Sequence, residues 1–151
     1  MAESKIGPGF RLLVIGGSAG SLEVILQVLA GLRSNLYIAV VLVVHRSLSS
    51  ENLLVDILSS RTSWQVKEAE DKEYIQPCHI YTAPADYHLL MEKDHSFSLD
   101  VSEKVNYSRP SIDVTFESAA DVFGPAVIAL LVSGANSDGT AGMKTVKAQG
   151  N

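Results

Sequence analysis

Residues 38–44 read IAVVLVV: seven apolar positions in succession, most of them β-branched, closing on His45. An amphipathic strand alternates between a wet and a dry face. A strand that does not alternate must be covered on both faces, the situation of strands in a parallel sheet layered with helices. Two further stretches have this texture, LLVI at 12–15 and VIALLV at 127–132. Helical periodicity lies beside them. Leu22, Ile25, Leu26 and Leu29 recur at i, i+3, i+4 and i+7. Leu53, Leu54, Ile57 and Leu58 predict a helix from Glu51 to about Ser59, with Ser50 as its cap. Ser111 or Asp113 opens a third helix that carries Val114, Ala119 and Val122 and closes near Gly124-Pro125. A fourth starts at Thr140, carries Met143 and Val146, and stops at Gly150. This alternation predicts an α/β fold: a doubly wound, mainly parallel, Rossmann-like sheet flanked by helices. Between 65 and 101 the texture changes to short strands broken by Asp71-Lys72, Gln76-Pro77, Ala83-Pro84 and Lys93-Asp94. That segment reads as an inserted antiparallel β-hairpin region.

The 151 residues suffice for one domain with a real core, so the chain is expected to be a single domain over 1–151, with 1–10 as a loose lead-in. The net charge is −5 and no basic run appears, which argues against a nucleic-acid partner. The longest apolar run is far too short to cross a bilayer, and the N-terminus has no basic region followed by an apolar one. Cys78 is the single cysteine, so no intramolecular disulfide is possible; this fits a reducing cytoplasm. As a residue it reads better as filler before a strand than as a catalytic thiol. His79, His88 and His95 lack the spacing of a helical zinc site and read as surface or strand residues. The acidic run 68–71 reads as a solvated turn. No metal or cofactor is expected.

The junction of the first strand and helix is Gly16-Gly17-Ser18-Ala19-Gly20. It fails the dinucleotide fingerprint, because Ile15 stands where the first glycine belongs, and it fails the P-loop pattern, because no lysine follows Gly20. It satisfies G-x-S-x-G, a turn that exposes a serine Oγ at the top of a sheet beside free helix N–H groups. An ordinary helix cap at Ser18 explains the same residues. Doubly wound sheets bind ligands beyond the carboxyl ends of their strands. Ser18, His45 and the loop holding Asp138 follow the three strong strands. Serine needs an adjacent base, histidine supplies one, and a carboxylate orients the histidine. Each also has a plain structural reading: a cap, a strand-end histidine bonded to backbone, and an Asp-Gly turn. Arg109, before the third helix, either binds a carboxylate substrate or braces a loop.

The segments VIGGSAGSLEVI, VVHRS, KEAEDKEYIQPCHIYTAPADYHLL, RPSIDVTFESAA and LLVSGANSDGTAGM, in this order, resemble the CheB protein-glutamate methylesterase domain. The likeness covers roughly residues 11–150. It implies a serine hydrolase in which Ser18 is the nucleophile, His45 the base and Asp138 the orienting acid. The family removes methyl groups from glutamate methyl esters on methyl-accepting chemoreceptor helices, releasing methanol, and some members deamidate glutamines. The backbone N–H of Ala19, with one from the Gly134-Ala135 turn, would hold the oxyanion. Arg46 either steers acidic receptor helices to the cleft or is a solvated strand-end residue.

The sequence departs from the family at Ser21 and Cys78, where glycine is usual, and at Arg46 and Ala135, where methionine is usual. No receiver domain is expected before residue 11, and a further C-terminal strand and helix are expected to be missing. Their absence would bare the edge of the strand at 127–132 and invite self-association there. Two alternatives stand beside the methylesterase reading. One is a small-ester hydrolase of another α/β type, disfavoured by the order Ser, His, Asp. The other is a non-catalytic receptor-binding domain with degraded activity.

Overall fold

The computed structural model describes residues 6–45, 51–105, 108–132 and 138–149. β1 (Arg11–Ser18) leads through a short 3-10 turn into α1 (Leu22–Ala30), and β2 (Ile38–His45) is followed by α2 (Glu51–Arg61). β3 (Gln65–Glu68) and β4 (His79–Thr82) come next, then β5 (His88–Met91) and β6 (Phe97–Asp100). α3 (Ile112–Phe123), β7 (Val127–Val132) and α4 (Thr140–Ala148) complete the order. The main sheet has five strands in the order β3-β4-β2-β1-β7, and every pairing in it is parallel. The expected α/β architecture is the observed one.

The 65–101 region corrects one detail of the sequence reading. β3 and β4 are parallel members of the main sheet, and only β5 and β6 form an antiparallel hairpin. The turn signals at Asp71-Lys72 and Gln76-Pro77 lie in the long connection between two parallel strands rather than in a hairpin loop. Four-residue strands are too short to show whether both faces are covered, so period and length could not tell the two arrangements apart.

The non-alternating strands are covered as their composition demands. Leu12, Val14, Ala39, Val41 and Val43 point to one face, where they pack with Ile112, Phe116 and Val146 of α3 and α4. Leu13, Ile15, Val40, Leu42 and Val44 point to the other, against α1 and α2. The hairpin is tied to α3 by side chains that satisfy its backbone: Thr115 Oγ1 donates to the Leu89 carbonyl, and Ser118 Oγ accepts from the Met91 N–H.

This layering fixes where a site forms. α1, which follows β1, lies on one face; α4, which follows β7, lies on the other. β1 and β7 are neighbours, so the crevice between their carboxyl ends is the topological switch point of the sheet. On its far side β7 is a sheet edge among the described residues, with Ile128 42% exposed.

α3 and α4 approach closely because Gly142 has no side chain. A Cβ there would stand 2.6 Å from Phe116 Cβ and 3.2 Å from Asp113 Cα, atoms that cannot swing away. Gly142→Ala should therefore cost about 1–3 kcal/mol of unfolding free energy, the usual range for overpacking. Urea denaturation at constant m-value measures it; an unchanged midpoint would show that the helices can part without penalty.

Candidate active site

Ser18 and His45 are the last residues of β1 and β2, and the parallel register sets them opposite each other. Side chains alternate along a strand. Both residues share parity with Leu12, Val14, Val41 and Val43, so they belong to the sheet face that α3 and α4 cover. Ser18 is not the cap of α1. That position is Ser21, whose Oγ donates to the Ser18 carbonyl at 2.7 Å. A Cβ at Gly16 would lie 2.4 Å from Ile112 Cγ2, so the glycine two residues before the serine lets the first turn of α3 sit down on the end of β1.

Asp138 lies between β7 and α4, in the turn that precedes α4. Its carboxylate lies at the N-terminus of α3 rather than at that of its own helix. Oδ1 accepts from Ser111 Oγ at 2.8 Å and from the Asp113 N–H at 3.0 Å; Oδ2 accepts from the Ile112 N–H at 2.6 Å. Oδ2 also faces His45 Nε2 at 2.8 Å. The Asp138 side chain is wholly buried, while that of His45 remains 22% exposed, so solvent or a ligand reaches the histidine and not the acid. Burial alone would raise the carboxyl. The hydrogen bonds from His45, from the Asp113 and Ile112 N–H groups and from Ser111 outweigh it and hold Asp138 well below the usual carboxylate range. The positive end of the α3 dipole acts in the same sense.

An ionised acid at Nε2 decides the tautomer. Carboxylate oxygens only accept, so in neutral His45 the proton sits on Nε2 and Nδ1 carries the lone pair.

A second acid answers the first. Asp113 Oδ1 accepts from the Gly139 N–H at 2.9 Å and from the Gly142 N–H at 2.7 Å, at the start of α4. Each acid caps the other's helix. Ser111, the N-cap of α3, also accepts from the Val114 N–H at 3.3 Å. Its own N–H donates to Nδ1 of the buried His88 at 3.2 Å, and His88 Nε2 donates to the Glu103 carbonyl at 2.8 Å.

Of the sequence-predicted site residues, His45 and Asp138 are in contact, and Ser18 is paired with His45 in the register of β1 and β2. The backbone of Ala19 lies in the 3-10 turn directly after Ser18. Arg46 and Ala135 lie outside the described residues. Arg109 is fully engaged: Nε and Nη2 donate to Asp86 Oδ1 at 3.1 and 2.7 Å, and Nη1 to the Val101 and Ser102 carbonyls at 3.1 and 3.0 Å. That geometry is the loop brace of the two readings open for it. Ser111, Asp113 and His88 were not singled out as site residues from sequence. One signal was present: Asp113 stands at i, i+3, i+7 with Phe116 and Ala120, a charge on the buried stripe of a helix. Among the described residues no cluster of three or more His, Cys, Asp or Glu is placed to hold a metal ion.

Comparisons with known proteins define the class. The CheB methylesterase family model matches residues 13–151, and the chain belongs to that family. A Leptospira interrogans relative, provisionally named a protein-glutamate methylesterase/protein-glutamine glutaminase, is 42% identical over 141 residues, covering 93% of this chain and 73% of its own. The Thermotoga maritima protein-glutamate methylesterase/protein-glutamine glutaminase is 34% identical over 143 residues, and the chain spans 42% of its length. The crystal structure of the Thermotoga maritima CheB methylesterase catalytic domain superposes with a TM-score of 0.89 at 34% identity, over 93% of this chain and 76% of that one.

The depressed Asp138 value carries a pH signature. A carboxyl that titrates lower in the folded than in the unfolded chain stabilises the fold above the ordinary Asp value near ~4, and that contribution is lost as pH falls below it toward the folded value. Asp138→Asn should thus destabilise by roughly 2 kcal/mol at neutral pH, on the scale of a charged hydrogen bond, and by progressively less below about pH 4. Denaturation of both proteins at neutral and acidic pH checks the sign. A gap that stays constant or widens in acid contradicts it.

Proposed function

We propose that the chain hydrolyses γ-methyl esters of protein glutamate side chains by way of an acyl-enzyme on Ser18. The observation that carries this reading is the 2.8 Å contact of a buried, ionised Asp138 with His45 Nε2, on a strand whose register faces His45 with Ser18. Membership of the CheB methylesterase family and the names of the relatives supply the substrate class.

In the first half-reaction His45 Nδ1 takes the Ser18 proton as Oγ attacks the ester carbonyl. The tetrahedral oxyanion is met by the Ala19 N–H, at the free N-terminal end of the 3-10 turn and α1, with a second donor from the Ala135 backbone as the sequence reading has it. The intermediate collapses by breaking the bond to the methoxy oxygen, and His45 returns the proton to it, so methanol leaves. In the second half-reaction His45 deprotonates water, which attacks the acyl-serine; the serine leaves with the proton and glutamate is released. A glutamine side chain follows the same path with ammonia as the leaving group, which matches the glutaminase half of the relatives' names. Throughout, Asp138 stays ionised and stabilises the imidazolium.

The same reading makes the substrate a methyl-accepting chemoreceptor helix and the working compartment the cytoplasm. No helix among the described residues is long and apolar enough to cross a membrane. Purified chain and a helical peptide bearing a glutamate γ-methyl ester test the proposal through methanol release. Ser18→Ala should abolish turnover, whereas Asp138→Asn should leave a residue of activity about 10⁴-fold below the wild type, as in other triads. Wild-type methanol release by Ser18→Ala would place the nucleophile elsewhere.

A further inference from the structure

We infer that Asp113 is a positioning residue of this site: its carboxylate, bonded to the Gly139 and Gly142 N–H groups, holds the backbone that carries Asp138 in the direction that meets His45. This rests on the triad reading above.

Asp138 sits in a turn, outside helix and strand, and such positions hold side chains less well than helices or strands do. What fixes this one is a closed ring of contacts. The Asp138 carboxylate is held by the first turn of α3, and the residue that follows it, Gly139, is held by a carboxylate from that same turn. Removing Asp113 opens the ring on one side only. Ser111 and the α3 N–H groups still attract the Asp138 carboxylate, but the Gly139 N–H and α4 are no longer anchored to α3 by Asp113.

Gly139 has φ +106°, which L side chains rarely adopt, so the turn cannot be restored by a neighbouring residue taking its place. Asp113 is itself buried, at 5% exposure, with Ile112, Thr115, Phe116, Ala119 and Ala120 of the same helix. A buried carboxylate beside a second one is an unfavourable choice unless both are held by donors. Glu117, one turn further along α3, is raised by burial and then by the negative charges of Asp113 and Asp138. An apolar residue at 113 would pack here without that repulsion. What it could not do is receive two N–H groups from the turn behind Asp138.

The test uses the whole chain and the glutamate-ester peptide. Asp113→Ala should lower kcat by about 10²-fold with KM unchanged, the scale of a catalytic group misplaced by roughly an ångström. Asp113→Asn keeps an acceptor oxygen at the same reach and should recover most of the loss. In an Asp138→Ala background, Asp113→Ala should lower kcat by less than about 2-fold more, because the acid it positions is gone. Should the alanine variant fail to fold, Asp113→Asn and Asp113→Ser carry the comparison: the amide keeps the rate and the shorter hydroxyl loses it. Wild-type kcat in Asp113→Ala, or equal rates in the Asn and Ser variants, overturns the inference and leaves the triad reading standing. So does a loss that multiplies in full in the Asp138→Ala background. Wild-type turnover in Asp138→Ala alone overturns both.

Discussion

The Asp138 carboxylate at the N-terminus of α3 is the contact on which the remainder of the site depends. It anchors Asp138, which follows β7 in the chain, on the first turn of α3 and presents one oxygen to His45 on β2. A residue that follows β7 and the last residue of β2, distant in sequence, are thereby joined. Burial opposes the charge, and the donors of a neighbouring helix more than compensate. A fixed negative charge in turn dictates which imidazole nitrogen carries the proton. The chemistry proposed for Ser18 rests on that assignment, on the sheet register and on membership of the CheB methylesterase family.

The contact is reciprocal. α3 lends its first turn to Asp138 and α4 lends its own to Asp113, so two helix N-termini and two acids satisfy one another in a dry layer. Gly142 and Gly16 are small for the same reason: one lets α4 reach α3, the other lets α3 reach β1. Packing and electrostatics therefore serve one geometry here. The arrangement places both acids among the more buried polar groups of the protein while His45 keeps a face toward solvent.

Much of this was legible in the sequence. Uniformly apolar strands required cover on both faces, which made the sheet parallel and put ligands at its carboxyl end. Ser18, His45 and Asp138 then stood out as the residues that follow the strands. What could not be read was partnership between distant segments. Nothing local in residues 111–113 says that they receive a side chain from 138, and an Asp on a helix's apolar stripe is ambiguous until the facing helix is known. The four-residue strands at 65–68 and 79–82 were misassigned to hairpins because turn residues mark a reversal without saying what it connects. His88 read as an ordinary strand histidine, and only its contact with Ser111 ties it to the site.

The proposed chemistry depends on the state of His45: Nε2 protonated and bonded to Asp138, Nδ1 left as the base. Nitrogen NMR of the chain labelled in its imidazoles reads this directly, with the four histidines assigned by single substitution. Neutral His45 should show a protonated Nε2 and a lone-pair Nδ1, and Asp138→Ala should abolish this preference. A His45 that carries its proton on Nδ1, or whose tautomer is indifferent to the loss of Asp138, would contradict it.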